Sequence, residues 1–159
     1  MLVNIEQGAT NPSIATLLRL SDALGIGLPA LVDNGSVDDG GVVVHRAGEV
    51  AAMWTSDAGG RATMVAGTGA PDVSELWDWM LGPGDLYRSE PHRVGTWELL
   101  LVITGTITLA VDDVELTLCP GDSASFDGSL AHSYANADAD NPARFSLAVF
   151  EPGLSTDAP

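Results

Sequence analysis

From residue 42 to residue 151 the chain is a succession of short apolar runs, broken at close intervals by turn-forming residues. Runs over residues 42–44, 51–55, 62–66, 75–80, 99–103, 106–111, 115–118, 123–126, 131–135 and 145–150 are rich in Val, Thr, Leu and aromatic residues. Gly, Pro and Asp punctuate them, as at Gly82-Pro83-Gly84, Asp112-Asp113 and Pro120-Gly121-Asp122. β-Branched and aromatic side chains suit a pleated, half-buried surface, whereas Gly and Pro suit the turns between such surfaces. Many short strands with tight turns bury their apolar faces as a sandwich or a barrel. The pattern therefore predicts a mainly β fold, a barrel of two antiparallel sheets over residues 42–152, with a frayed tail at 153–159.

The first 33 residues follow a different period. Asn11-Pro12-Ser13 reads as a helix start, with Asn11 as cap and Pro12 in the first turn. Ile14, Leu17, Leu18 and Leu24 then share one helical face, and Gly25 stops the helix. A second short helix is expected near Leu28-Pro29, taking in Leu31 and Val32. Residues 2–7 read as the last turns of an earlier helix, ended by Gly8. Short helices of this kind do not close a core alone. Residues 34–41 have little to pack and read as a linker.

Composition narrows the partners. The formal net charge is -16, and all 6 basic residues are arginines. Such a surface repels nucleic acid and anionic membrane, and its charge reads as solvated exterior. The single cysteine, Cys119, excludes an internal disulfide and points to a reducing compartment. Its place at the end of an apolar run predicts burial. No run is long and apolar enough to span a membrane, and Met1 is not followed by a signal-like segment. The cytoplasm is the expected location.

The chemistry-bearing residues are few. His92 and Glu98 flank a turn at Gly95, and His132 follows on a later strand. Strand faces can direct all three into one cavity. Arg88 and Tyr134 complete the candidate ligand-binding set. An inward Arg88 or Arg93 would need a carboxylate or an anionic ligand. Trp77 and Trp79 alternate with Asp78 and so share a strand face, which reads as core or interface packing. His45 reads as a surface or packing residue.

The stretch from about residue 73 to 151 resembles a cupin, a small jelly-roll barrel. One cupin motif is His-x-His, three or four residues, Glu, six residues, Gly. His92, Glu98 and Gly105 fit it, with Val94 at the place of the second His. The other runs from Gly through Pro-x-Gly-x-x-His to Asn. Gly121, His132 and Asn136 fit it, with Asp127 and Ser129 at the places of the Pro and Gly. In metal-binding cupins three His and one Glu hold a divalent ion. The resemblance therefore implies His92, Glu98 and His132 as ligands here, one imidazole short. A metal-free pocket is the expectation, with iron, manganese or zinc at these three residues as the alternative, since two His and a carboxylate can hold such ions.

The N-terminal segment has a second resemblance. Leu2-Val-Asn-Ile-Glu-Gln-Gly8, Asn11-Pro-Ser-Ile14 and Thr16-Leu-Leu-Arg-Leu-Ser-Asp-Ala-Leu-Gly25 resemble the second half of a repressor-type (XRE) helix-turn-helix domain. The resemblance implies that residues 2–7 end the recognition helix, with Asn4 and Gln7 toward bases or phosphates. The sequence opens inside that motif, so a late start codon or a truncated paralogue is expected. The expected division is a partial helix-turn-helix at 1–33, a linker at 34–41 and a barrel at 42–152. Helix-turn-helix followed by cupin resembles bacterial transcription regulators that sense a small molecule. The expected partners are a small-molecule effector and a second copy in a homodimer. DNA is expected only where an upstream extension completes the motif, and no membrane partner is expected. The alternatives are a metal-dependent cupin enzyme, a dioxygenase or isomerase, and a non-catalytic ligand-binding cupin.

Overall fold

The computed structural model describes residues 12–32 and 42–153. Readings placed on residues 1–11, 33–41 and 154–159, Asn4, Gln7 and Asn11 among them, lie outside the described residues. Among the described residues ten strands follow two helices: β1 (Trp54–Thr55), β2 (Arg61–Gly67), β3 (Val73–Leu81), β4 (Leu86–Ser89), β5 (Trp97–Thr104), β6 (Ile107–Val111), β7 (Val114–Leu118), β8 (Ser123–Asp127), β9 (His132–Ala135) and β10 (Ala143–Glu151). They form a six-stranded sheet in the order β1-β2-β3-β10-β5-β8 and a four-stranded sheet in the order β4-β9-β6-β7.

Alternation makes the core. Val73, Glu75, Trp77 and Leu81 of β3 are buried, as are Phe145, Leu147, Val149 and Glu151 of β10. The antiparallel register sets Phe145 opposite Trp79 and Leu147 opposite Trp77. Trp79 and Phe145 stack with ring centroids 5.7 Å apart. Such a pair adds about 1 kcal/mol to the burial of its apolar area. From the second sheet, Ile107, Leu109 and Tyr134 join the same cluster, so the two sheets close on each other.

Two of the cupin-type motif residues are structural. Gly105 has a φ of 70°, and a Cβ there would stand 2.7 Å from Ala143 Cα, so only glycine fits the turn after β5. Asn136 is buried and donates to the carbonyls of Leu81, Gly82 and Asn141, while its Oδ1 accepts from the Asp138 amide. One side chain thus satisfies the backbone of two crossing loops.

The helices are α1 (Ile14–Leu24) and α2 (Leu28–Val32). Ser13 caps α1, its hydroxyl accepting from the Thr16 amide at 3.3 Å, and Pro12 precedes the helix. Gly25 takes a φ of 66°, and the Ile26 amide reaches back to Ser21 O, a Schellman-type stop. Ile14 and Leu28 belong to the same core cluster as the barrel, with Leu17, Leu18, Leu31 and Val32 against it. Arg19 Nη2 meets both carboxylate oxygens of Glu90, at 2.6 and 2.8 Å, tying α1 to the loop after β4.

Several expectations need correction. Residues 42–44 form no strand and are exposed, and only Trp54 and Thr55 of the 51–55 run are paired. β4 was not anticipated. Leu24, at the C-terminal end of α1, is 61% exposed, because the helix leaves the barrel there. Cys119 is exposed, because it begins the turn after an outer strand of the smaller sheet, where its amide is held by Asp122 Oδ2. Among the described residues no helix is long and apolar enough to cross a membrane.

Candidate ligand pocket and metal centre

The barrel interior gathers polar groups at one end. Glu98 lies on the inward face of β5, His132 and Tyr134 on that of β9, and His92 on the loop before β5. His92 is held there by its amide, which donates to Gly128 O at 2.9 Å. Glu98 Oε1 lies 3.0 Å from His92 Nε2 and 3.1 Å from His132 Nε2. Tyr134 donates its hydroxyl to Glu98 Oε2 in a short hydrogen bond. Three of the expected residues thus converge, with Tyr134 behind them. Arg88 does not join them. Strand alternation in β4 turns Tyr87 inward and leaves Arg88 exposed. Arg93 lines a separate cavity of about 230 Å³ with Glu151, between the helices and the barrel end.

Environment decides each charge. Burial alone would raise the pKa of Glu98; the close nitrogens of His132 and His92 outweigh it and bring it down to about 2. Burial pushes the His92 pKa down, but the adjoining Glu98, with Glu151 and Glu75 farther off, raises it above the ordinary value. Tyr134 is pushed far above a free phenol, by burial first and then by the Glu98 charge. Its hydroxyl therefore stays a donor.

The donor set fits a divalent ion. One ligand atom each from His92, Glu98 and His132 lies within 4.8 Å of the others. His132 Nδ1 is 2.8 Å from Leu130 O, and only an N–H can bond a carbonyl, so Nδ1 carries a proton. Such a bond commonly orients a ligating imidazole and leaves Nε2 to the metal. His132 Nε2 and Glu98 Oε1 are close and buried, yet neither has a hydrogen bond of acceptable alignment. A proton or a cation between them relieves that contact. The fourth cupin position, Val94, is 91% exposed and contributes nothing.

Sequence reasoning missed Glu75. It is 4% exposed, on the inward face of β3 with Trp77 and Trp79. Trp77 Nε1 donates to its Oε2 at 2.8 Å, and its Oε1 is buried without a partner. Burial chiefly raises its pKa, to about 7, with Glu151 and Glu98 adding to the rise against the Trp77 hydrogen bond and His92. The available signal was the shared strand face with Trp77. Glu75, Glu98, His92, Trp77, Tyr87 and Tyr134 border an interior cavity of about 30 Å³. That is room for about one water-sized group. Ile14 and Leu18 of α1 lie over it.

The family profile described as a cupin domain matches residues 77–150. The two-sheet barrel is the cupin double-stranded β-helix, and this chain carries a cupin domain. An HTH_3 family transcriptional regulator from Vibrio cholerae superposes with a TM-score of 0.69 at 22% identity, covering 96% of this chain and 79% of that one. The Cupin_2 domain of an XRE family transcriptional regulator from Enterobacter cloacae is 30% identical, with a TM-score of 0.48, covering 50% of this chain and 82% of that one. KdgF from a Halomonas species shares 15% identity with a TM-score of 0.53, covering 70% and 96%. No curated protein matches the chain.

Proposed function

We propose that this chain is the small-molecule-sensing part of a bacterial transcription regulator. The observation that carries the reading is the interior cavity beneath α1. The helix over the ligand space belongs, by its sequence, to the rear half of a DNA-reading motif. A ligand larger than the cavity must therefore move that helix. The fold likeness to a Vibrio cholerae protein named as a transcriptional regulator, spanning 96% of this chain, supports the same reading.

DNA binding would rest on the N-terminal segment, where the helix-turn-helix resemblance assigns Asn4 and Gln7 to bases or phosphates. Arg19 is the sole basic side chain between residues 12 and 32, and it is committed to Glu90. It adds little to a phosphate contact.

A homodimer fits the outer face of the larger sheet. Leu76, Trp97, Leu99, Leu101, Ile103 and Phe150 are each at least 41% exposed. The register sets Trp97 beside Phe150, and Leu99 and Leu76 on either side of Ala148. A contiguous apolar stripe of this kind suits burial against a second copy.

His92, Glu98 and Tyr134 form the polar end of the cavity, with His132 against Glu98. A divalent iron, manganese or zinc held by the first three would supply a Lewis acid with open positions. Tyr134 would then orient the Glu98 carboxylate, and the Leu130 carbonyl would hold the His132 ring. The convergence of His92, Glu98 and His132 favours, as a second reading, a metal-dependent cupin enzyme.

The test is a fluorescence titration of labelled DNA flanking the gene, using the chain alone and the chain extended by any in-frame coding sequence found before it. Sequence-specific binding with a steep salt dependence supports the regulator. No sequence preference, together with about one metal ion per chain and turnover of a substrate, overturns it in favour of the enzyme.

A further inference from the structure

We propose that the cavity takes the cationic head of an organic amine, with Glu75 as its counter-ion. The inference rests on the sensing role given to this cavity and names its ligand class. The geometry starts from β10. Val149 pairs with Glu75 on one side and Glu98 on the other, so the two carboxylates lie in one row across three strands. Strand spacing puts their backbones roughly 10 Å apart. Both line the same cavity.

The two acids are not equivalent. Glu98 takes a hydrogen bond from Tyr134 on one oxygen and faces two imidazole nitrogens, at 3.0 and 3.1 Å, with the other. Glu75 has one donor, the Trp77 indole, and its other oxygen is buried without any. A buried acceptor with no donor is costly, and an ammonium group supplies both the donor and the charge. Trp77, Trp79, Tyr87 and Tyr134 supply the walls. Aromatic faces attract cations and do not attract anions. Of the charged neighbours that act on Glu75, Glu151 and Glu98 are negative and His92 positive. A carboxylate or phosphate would meet two acids here, which disfavours an anionic effector.

Size fixes the rest. The cavity of about 30 Å³ holds the ammonium head alone. An alkyl tail has to extend toward Ile14 and Leu18, the apolar residues of α1 over the cavity. A primary alkylamine therefore matches the site at both ends.

The test compares n-butylammonium, 1-butanol and butyrate, three probes of similar size and different charge, on the full chain at fixed ionic strength. Intrinsic tryptophan emission reports occupancy, since Trp77 and Trp79 line the cavity. Butylammonium is expected to give a saturable change and to raise the melting temperature, and the other two are not. Glu75→Gln is expected to weaken butylammonium at least ~10-fold, as loss of one partner of a buried charge pair does. The probe comparison on the unaltered protein stands whether or not the variant folds. Equal or tighter binding of butanol or butyrate overturns the amine preference and leaves the sensing role intact. Undiminished butylammonium binding by Glu75→Gln overturns the role of Glu75. No saturable response to any probe overturns the proposal, while the DNA titration judges the sensing role separately.

Discussion

Glu98 and Glu75 are the same acid at nearly the same depth, 0% and 4% exposed, on the two strands that flank β10. Their carboxyl groups nevertheless go opposite ways, to about 2 and to about 7. Burial raises both. The difference lies in the partners: two imidazoles and a phenol at Glu98, one indole at Glu75. Depth alone therefore says little about a buried acid in this barrel. The donors supplied by the facing strands decide whether it is a fixed anion or a group awaiting a partner.

The largest effect should come from breaking the engaged side. Glu98→Ala leaves His92, His132 and the Tyr134 hydroxyl without their shared acceptor. A loss of about 3–5 kcal/mol is expected, as for other broken buried ion pairs, measurable by urea unfolding at neutral pH. Glu75→Gln should cost far less at the same pH. Equal losses would erase the contrast between the two acids.

Next comes pH. Glu75 has a folded pKa above its unfolded value, so the folded state holds the proton longer. Its contribution is fully present below about pH 4.5 and declines as pH rises through about 7. The span is on the order of 3 kcal/mol at most. Glu98 acts in the opposite sense, its contribution being present above about pH 4.5 and lost as pH falls toward about 2. Thermal melts from pH 5 to 8 should show a falling stability that Glu75→Gln flattens. An unchanged slope in the variant would assign it to other groups.

A smaller effect is expected from metal. Glu98 is already balanced by its imidazoles and Tyr134, so purified protein should carry less than one ion per chain. Chelation should shift the melt less than Glu98→Ala does. Elemental analysis showing about one iron, manganese or zinc per chain, with a large chelator-induced drop, would promote the enzyme reading. The smallest effect is that of Arg19→Ala, which removes an exposed ion pair. Its stability change should fall within measurement error, while its effect on ligand binding should not.

The strand pattern was legible where alternation was long. β3, β5 and β10 were all read within three residues of their bounds, and the spacing of His92, Glu98 and His132 was read from motif resemblance. What escaped depended on distant partners. β4 is only Leu86–Ser89, and it is a strand because Tyr87 and Ser89 register with Tyr134 and His132. Residues 42–44 had the composition of a strand but pair with no strand among the described residues. Glu75 shares a strand face with Trp77 and Trp79, but nothing local showed that Val149 would set it in one row with Glu98. The apolar stripe of α1 was clear, but nothing in it said that Ile14 and Leu18 would cover a cavity. Nor could local sequence reveal that Arg88 would point away.

The position of those two residues has a kinetic consequence. Ile14 and Leu18 border the cavity that Glu75 lines, so a molecule entering from that side has to displace α1 first. Exchange then follows a two-step scheme in which undocking precedes capture. The apparent on-rate should climb with concentration only until it meets the undocking rate, and then level off. Arg19 and Glu90 straddle the moving joint, so added salt, by screening that pair, should lift the plateau without changing the chemistry inside.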